Sequence, residues 1–393
     1  MSACARETST RLAWAVRAVR HRSLLLAALG LAAGVAGRGV EAQANAVTVE
    51  AVRVGGGSAN GHTTVPYLRA RGSARGSAFG MPLEATASAW LNLDDVDSSV
   101  LNIEEVLITK EWHSAELRFG MGDVAWGLSE LRSPVDMMVP RAVLWDVAGG
   151  PRLGQPLVSL TLFGGWGDLQ AVALPFSRPV HLDGVITTET WDGLPIHSVD
   201  GWGADAVGGL RFSRIQGPLD LALSYVDGVD RSLWAVRDQV GGAVLDAPSL
   251  RQGAYEIQWA LGSLVLRTEG ALARRAGETE LRLIAGGEWY PAPYLSFELM
   301  QGVVSAHREA RGSLTDDLLI GAQLIGEDLR VRARLFVDPS SGNRHYFLKT
   351  TWRIGELTSL ESEIAGWAGD ATREPALAAR QRSALLVSLV RYF

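Results

Sequence analysis

The chain has 393 residues, of which 47% are hydrophobic and 20% charged, with 37 basic against 43 acidic side chains and one cysteine. A net charge of −6 argues against nucleic-acid binding, which needs a basic surface to meet phosphate. The single cysteine, Cys4, excludes a disulfide framework and a thiolate metal site.

Residues 1–44 read as a secretory signal peptide. Arg11, Arg17, Arg20 and Arg22 precede an apolar run from Leu24 to Ala36, and Ala42-Gln43-Ala44 has the small-x-small pattern that a signal peptidase cuts. The run is roughly half of the ~20 residues a membrane-spanning helix needs, and no later run is longer. Leu31-Ala32-Ala33-Gly34 is followed by Val35 rather than cysteine, so no lipid anchor is expected. A cut after Ala44 takes six basic and two acidic residues, leaving 31 and 41, so the mature chain 45–393 is near −10.

Beyond Ala44 the recurrent signal is alternation at period two, the mark of strands with two unlike faces. It predicts strands near 47–54, 63–71, 83–91, 100–110, 115–123, 157–163, 168–174, 204–213, 218–226, 253–261, 264–273, 279–289, 293–303, 316–324, 329–337, 344–353, 357–367 and 382–393. Many approach the ~9–11 residues of a tilted membrane-crossing strand, longer than the ~5–6 usual in soluble sheets. Tight joins at Gly355, Gly326-Glu327, Gly262 and Trp112-His113-Ser114 alternate with mostly longer ones near 338–343, 304–315, 227–252, 175–203 and 124–156. Short periplasmic turns and long external loops have that parity in an up-and-down outer-membrane barrel. A soluble sheet with one wet face also alternates, but Greek-key crossovers give no reason to keep the parity. The expected fold is a single all-β antiparallel transmembrane barrel of about eighteen strands, or sixteen if the N-terminal hairpin stands apart.

The two strand faces differ in charge. Over 329–337, Leu329, Val331, Ala333, Leu335 and Val337 oppose Arg330, Arg332, Arg334 and Phe336; Leu281 and Leu283 oppose Arg282 and Glu288; Phe297 and Leu299 oppose Glu298; Leu360 and Ile364 oppose Glu361 and Glu363. An unpaired charge facing hydrocarbon costs about 2–4 kcal/mol at mid-depth, so in a barrel these eight charged residues face a wet lumen and line the pore. Trp90, Trp112, Trp166, Trp289, Tyr290, Tyr294, Trp352 and Tyr392 fall at or near strand ends, where an amphipathic ring suits the headgroup layer.

The 124–155 connection is unusually long and carries Trp126, Met137, Met138, Val139 and Trp145, too apolar a set to leave in water. It is expected to fold inward as a constriction anchored by Trp126 and Trp145, with Glu130, Arg132, Asp136 and Arg141 facing the aperture. An external cap or partner-binding loop is the competing reading.

The chain ends on "SALLVSLVRYF", Ser383 to Phe393, with Leu385, Val387, Leu389 and Phe393 on one face. This resembles the C-terminal strand by which bacterial outer-membrane barrels are read by the barrel assembly machinery, although Arg391 stands where an apolar residue is usual. Trp126-Gly127, Ser129-Glu130 with Arg132, Val135-Asp136, Leu153-Gly154-Gln155-Pro156, Trp166-Gly167 and Leu174-Pro175-Phe176 also follow one another in order. In this pattern the chain is similar to an uncharacterised outer-membrane porin-like family, and the resemblance implies fold and location only.

Histidines 62, 113, 181, 197, 307 and 345 show no metal-ligand spacing, and there is no nucleophile elbow or phosphate-cradling loop. No cofactor, metal or catalytic activity is expected. The expectation is a porin-type channel for small polar solutes in a Gram-negative outer membrane, in contact with lipid and lipopolysaccharide and open to homo-oligomerisation. The competing expectation is a non-conducting barrel that presents its loops, or an unrecognised surface enzyme.

Overall fold

The structure is a computed structural model that describes residues 40–58, 61–92, 100–129, 133–139, 154–176, 190–191, 194–197, 205–230, 235–239, 242–246, 249–275, 277–305, 317–339, 342–368 and 382–392. The strands are β1 (Val40–Ser58), β2 (Gly61–Ala78), β3 (Met81–Asn92), β4 (Val100–Trp112), β5 (Ala115–Gly122), β6 (Gln155–Gly164), β7 (Gly167–Leu174), β8 (Thr190–Trp191), β9 (Leu194–His197), β10 (Val207–Gln216) and β11 (Leu219–Val229). They continue with β12 (Ala235–Gln239), β13 (Gly242–Asp246), β14 (Ser249–Leu261), β15 (Leu264–Arg275), β16 (Glu278–Ala292), β17 (Leu295–Ser305), β18 (Leu318–Ile325), β19 (Leu329–Val337), β20 (Arg344–Gly355), β21 (Thr358–Ala368) and β22 (Arg382–Tyr392).

Eighteen strands form one antiparallel up-and-down sheet in chain order. β1 pairs with β2 on one edge and with β22 on the other, from Ala46 opposite Tyr392 to Gly56 opposite Arg382, so the sheet closes on itself. The N-terminal hairpin is therefore part of the barrel. β8, β9, β12 and β13 make a separate small sheet within the 175–206 and 230–248 connections. Two to five residues are too few to show a period, which is why the sequence reads these stretches as loops.

β1 and β2 run 19 and 18 residues, about twice the expected segments. Their Gly- and Ser-rich flanks look like loop, yet ladder pairing continues through Gly55-Gly56-Gly57 opposite Thr64, Thr63 and His62. β1 begins at Val40, upstream of the expected cut, with a register shift between Ala44 and Ala46. Pairs with β22 start at Ala46, so a chain beginning at Asn45 keeps the whole closing seam.

Turns at 79–80, 113–114, 165–166, 217–218, 262–263, 293–294, 326–328 and 356–357 all lie at one end of the barrel, and most connections at the other end are longer. At Gly217-Pro218 the glycine takes φ +60°, as the first central position of a type II′ hairpin turn requires.

Outward positions carry exposed Leu223, Leu272, Leu299, Val303, Ile320 and Leu389, an apolar belt of the kind hydrocarbon would cover. Exposed Trp112, Trp166, Trp259, Trp289, Tyr294 and Trp352 gather at the short-turn end. Trp166 stacks on Phe212 and Trp289 on Phe297, each at 6.0 Å between ring centroids. The side chains of Trp90 and Tyr392 lie outside the described ones.

Candidate functional site

The lumen is divided. Over β6, β7, β10, β11, β14 and β15 most inward side chains toward the long-loop end are apolar: Leu157, Val172, Leu174, Val207, Val226, Leu250, Ala254, Ala271 and Ala273 are all buried, with Gln155, Gln252 and Arg275 among them. Val124, Trp126, Val135, Met137, Met138 and Val139, from the connection after β5, pack into this surface as one cluster. A second inward row, Ile284, Met300, Leu319 and Phe336, crosses β16 to β19. Apolar residues inside a barrel avoid water only if something packs against them, and on the first surface the inserted segment does so.

Polar contacts fix the segment's register. The Trp126 indole Nε1–H donates to Gln170 Oε1 at 2.8 Å, and Gln170 Nε2 donates to Ser159 Oγ at 3.1 Å. Gly127 N–H donates to Glu256 Oε2 at 3.2 Å. Leu128 N–H and the Ser133 hydroxyl both donate to Glu269. Gln252 Nε2 donates to the Pro134 carbonyl at 3.0 Å. Arg211 donates to both oxygens of Glu256, from Nε at 2.9 Å and Nη2 at 3.1 Å. Packing leaves no slack: a Cβ on Gly209 would stand 2.7 Å from the Trp126 ring and 2.9 Å from Met138 Sδ.

Of the expected constriction residues, Trp126 and Asp136 are buried in or beside this cluster. Glu130, Arg132, Arg141 and Trp145 lie outside the described residues.

The eight expected charged residues share the inward parity of the sheet but fall into two groups. Arg282 is buried against Glu280, which also binds Arg275, and Arg275 reaches Asp230 at 2.7 Å. Glu288 pairs with Arg267 at 3.0 Å, and Glu298 pairs with Arg334 at 3.1 Å. The Arg282 and Arg334 pairs are closed off from water, and the Arg267 pair is half-buried. Arg330, Arg332, Glu361 and Glu363 keep contact with water. Arg332 donates to Gln323 at 2.7 Å, Glu361 meets Lys349 at 3.0 Å, and Glu363 stands opposite Lys349.

The water-exposed charges continue across the seam onto β2 to β5. Arg75 meets Glu84 at 2.8 Å, Arg71 meets Glu104 at 2.7 Å, and Arg118 lies 3.6 Å from Glu105. Glu104 is the extra residue of a bulge opposite the Thr86–Ala87 step, where the register shifts. Arg75 and Lys349 are 73% and 41% exposed, against 4% for Arg282, so the wet part of the lumen runs along β19–β21 and β2–β5, beside the filled half. Sequence reasoning passed over Glu256, Glu269 and Arg211. Each shares its strand with at least one other charge, such as Arg251 on β14, Arg267 on β15 and Arg214 on β10, and only its inward parity marks it. Among the described residues no group of three or more His, Cys, Asp or Glu could hold a metal.

No family model matches the sequence, and no curated protein does. In fold the chain is similar to Pseudomonas aeruginosa OccK2 (OpdF), at 11% identity and a TM-score of 0.57 over 89% of this chain and 97% of that one. The same protein in complex with glucuronate matches at 12% identity and a TM-score of 0.53, over 89% and 97%. A variant of the Rh. blastica porin aligns over 90% of this chain and all of that one at 11% identity and a TM-score of 0.45. The shared feature is the porin-like barrel.

Proposed function

We propose that this chain is a porin-type channel of a bacterial outer membrane through which small polar solutes diffuse passively. The observation that carries the reading is the division of a closed eighteen-stranded ring into a filled half and a half lined by hydrated charges. At this strand number a barrel leaves an aqueous path unless something occupies it, and the described residues of the inserted segment pack on one side. Both signs of charge border the wet side, so polarity and size, more than net charge, select what passes. The apolar belt and aromatic girdle support residence in the outer membrane after removal of the leader. The exposed face of β22, with Leu385, Val387 and Leu389, suits recognition during assembly and then contact with lipid.

Single-channel recording on purified barrel in planar bilayers tests this. Stepwise conductance is expected, with larger steps when 130–145 is deleted. A correctly folded barrel that stays silent, deleted or not, refutes the channel. The amount of apolar packing in the lumen favours one other reading, a closed barrel that presents its 175–206 and 230–248 connections. Silence in that assay is what it requires.

A further inference from the structure

We infer that Glu256 and Glu269 form a two-carboxylate latch that holds the inserted segment on the barrel wall, and that the latch sets the width of the aqueous path. The second half of this inference rests on the channel reading above.

The two residues stand directly opposite one another on β14 and β15 and both are buried. Like charges in opposed positions repel, and a buried carboxylate is costly unless donors surround it. Arg211 supplies donors to Glu256. The inserted segment supplies the rest: the Gly127 amide to Glu256, and the Leu128 amide with the Ser133 hydroxyl to Glu269. Gly127 has φ +107°, and the adjacent Gly127 and Leu128 amides each meet one of the two carboxylates. A side chain there is excluded twice, by φ and by Ser133 Oγ, 2.2 Å from where a Cβ would be. Charge-assisted bonds are about twice as strong as neutral ones. The contacts of Gln170 and Gln252 on either side are neutral, so among the polar contacts the carboxylates are the strongest. Trp126 lies one residue before the grip, and its ring packs on Gly209 and bonds Gln170, which places this part of the segment on the wall. Wall and segment depend on each other: without Gly127, Leu128 and Ser133 the wall keeps two adjacent buried carboxylates and one arginine.

The test compares Glu269→Ala with Glu269→Gln, which keeps an acceptor for Leu128 and a partner for Ser133. Two readouts are taken on each folded barrel: amide hydrogen exchange at Gly127–Ser129, and single-channel conductance with open-channel noise. Glu269→Ala is expected to speed exchange there by about tenfold or more and to raise conductance and noise, while Glu269→Gln, which keeps the contacts without the charge, falls between it and the parent. Unchanged exchange in Glu269→Ala overturns the latch. Faster exchange with unchanged conductance keeps the latch and overturns its control of the path. If the parent barrel is silent, the channel reading falls, and exchange alone still decides the latch. Should Glu269→Ala not fold, Ser133→Ala removes one donor with the wall intact, and the same outcomes decide.

Discussion

Arg334 reaches Glu298 across a whole intervening strand, Nη2 to Oε2 at 3.1 Å, because the residue between them on β18 is Gly321. A Cβ on Gly321 would lie 3.0 Å from Glu298 Oε2 and 3.2 Å from Glu298 Cβ, so alanine asks for a shift of a few tenths of an ångström and a larger residue separates the pair. Both charges are more than nine-tenths buried, and dividing a buried pair costs about 3–5 kcal/mol. Gly321→Leu is expected to lower the urea midpoint of the barrel, followed by the change in gel mobility on unfolding, while Gly321→Ala leaves it near the parent.

Gly209 faces the Trp126 ring and Met138 at less than van der Waals distance for any added carbon. Gly209→Val therefore pushes Trp126, with its bond to Gln170, and Met138 off the wall while leaving the donors to Glu256 and Glu269 in place. Susceptibility of the segment to added protease is expected to rise while the barrel itself stays resistant. A segment as protected as in the parent counts against the packing described.

Arg332 lies on the wet side of the lumen beside Lys349, whereas Arg251 is exposed on an outward position and pairs with Asp227 at 3.2 Å. Arg332→Glu is expected to move the zero-current potential in a salt gradient toward cation preference. Arg251→Glu leaves that potential unchanged and alters stability by less than about 1 kcal/mol, as for other solvated pairs. Equal shifts from both substitutions contradict the eccentric path.

Leu299 points outward from β17 and is 57% exposed, and Ser296 on the same strand points inward. Leu299→Arg sets a charge against hydrocarbon at a cost of about 2–4 kcal/mol. It is expected to cut the yield of assembled barrel, measured by heat-modifiable mobility, and Ser296→Arg to assemble normally.

Alternation and the parity of short and long joins made the barrel legible from residues alone, down to the charge-bearing side of β19. Two features were less so. Gly55-Gly56-Gly57 reads as a turn because glycine carries no face, so the lengths of β1 and β2 emerged only from their pairing. The period-two pattern says which residues face inward but not what they meet there. Arg282 and Arg332 look equivalent in sequence, and one is buried in a cluster with Glu280, Arg275 and Asp230 while the other touches water, because burial in a lumen depends on partners that parity does not name. Glu256 and Glu269 were hidden for the same reason.

The seam between β1 and β22 joins residues some 340 positions apart. Until Tyr392 has been translocated, Val49 and its neighbours present bare amides and carbonyls, a sticky margin inviting pairing with any other exposed edge. A truncated product lacking the last strand would have two such margins permanently, which makes premature termination a route to aggregation rather than to a smaller pore.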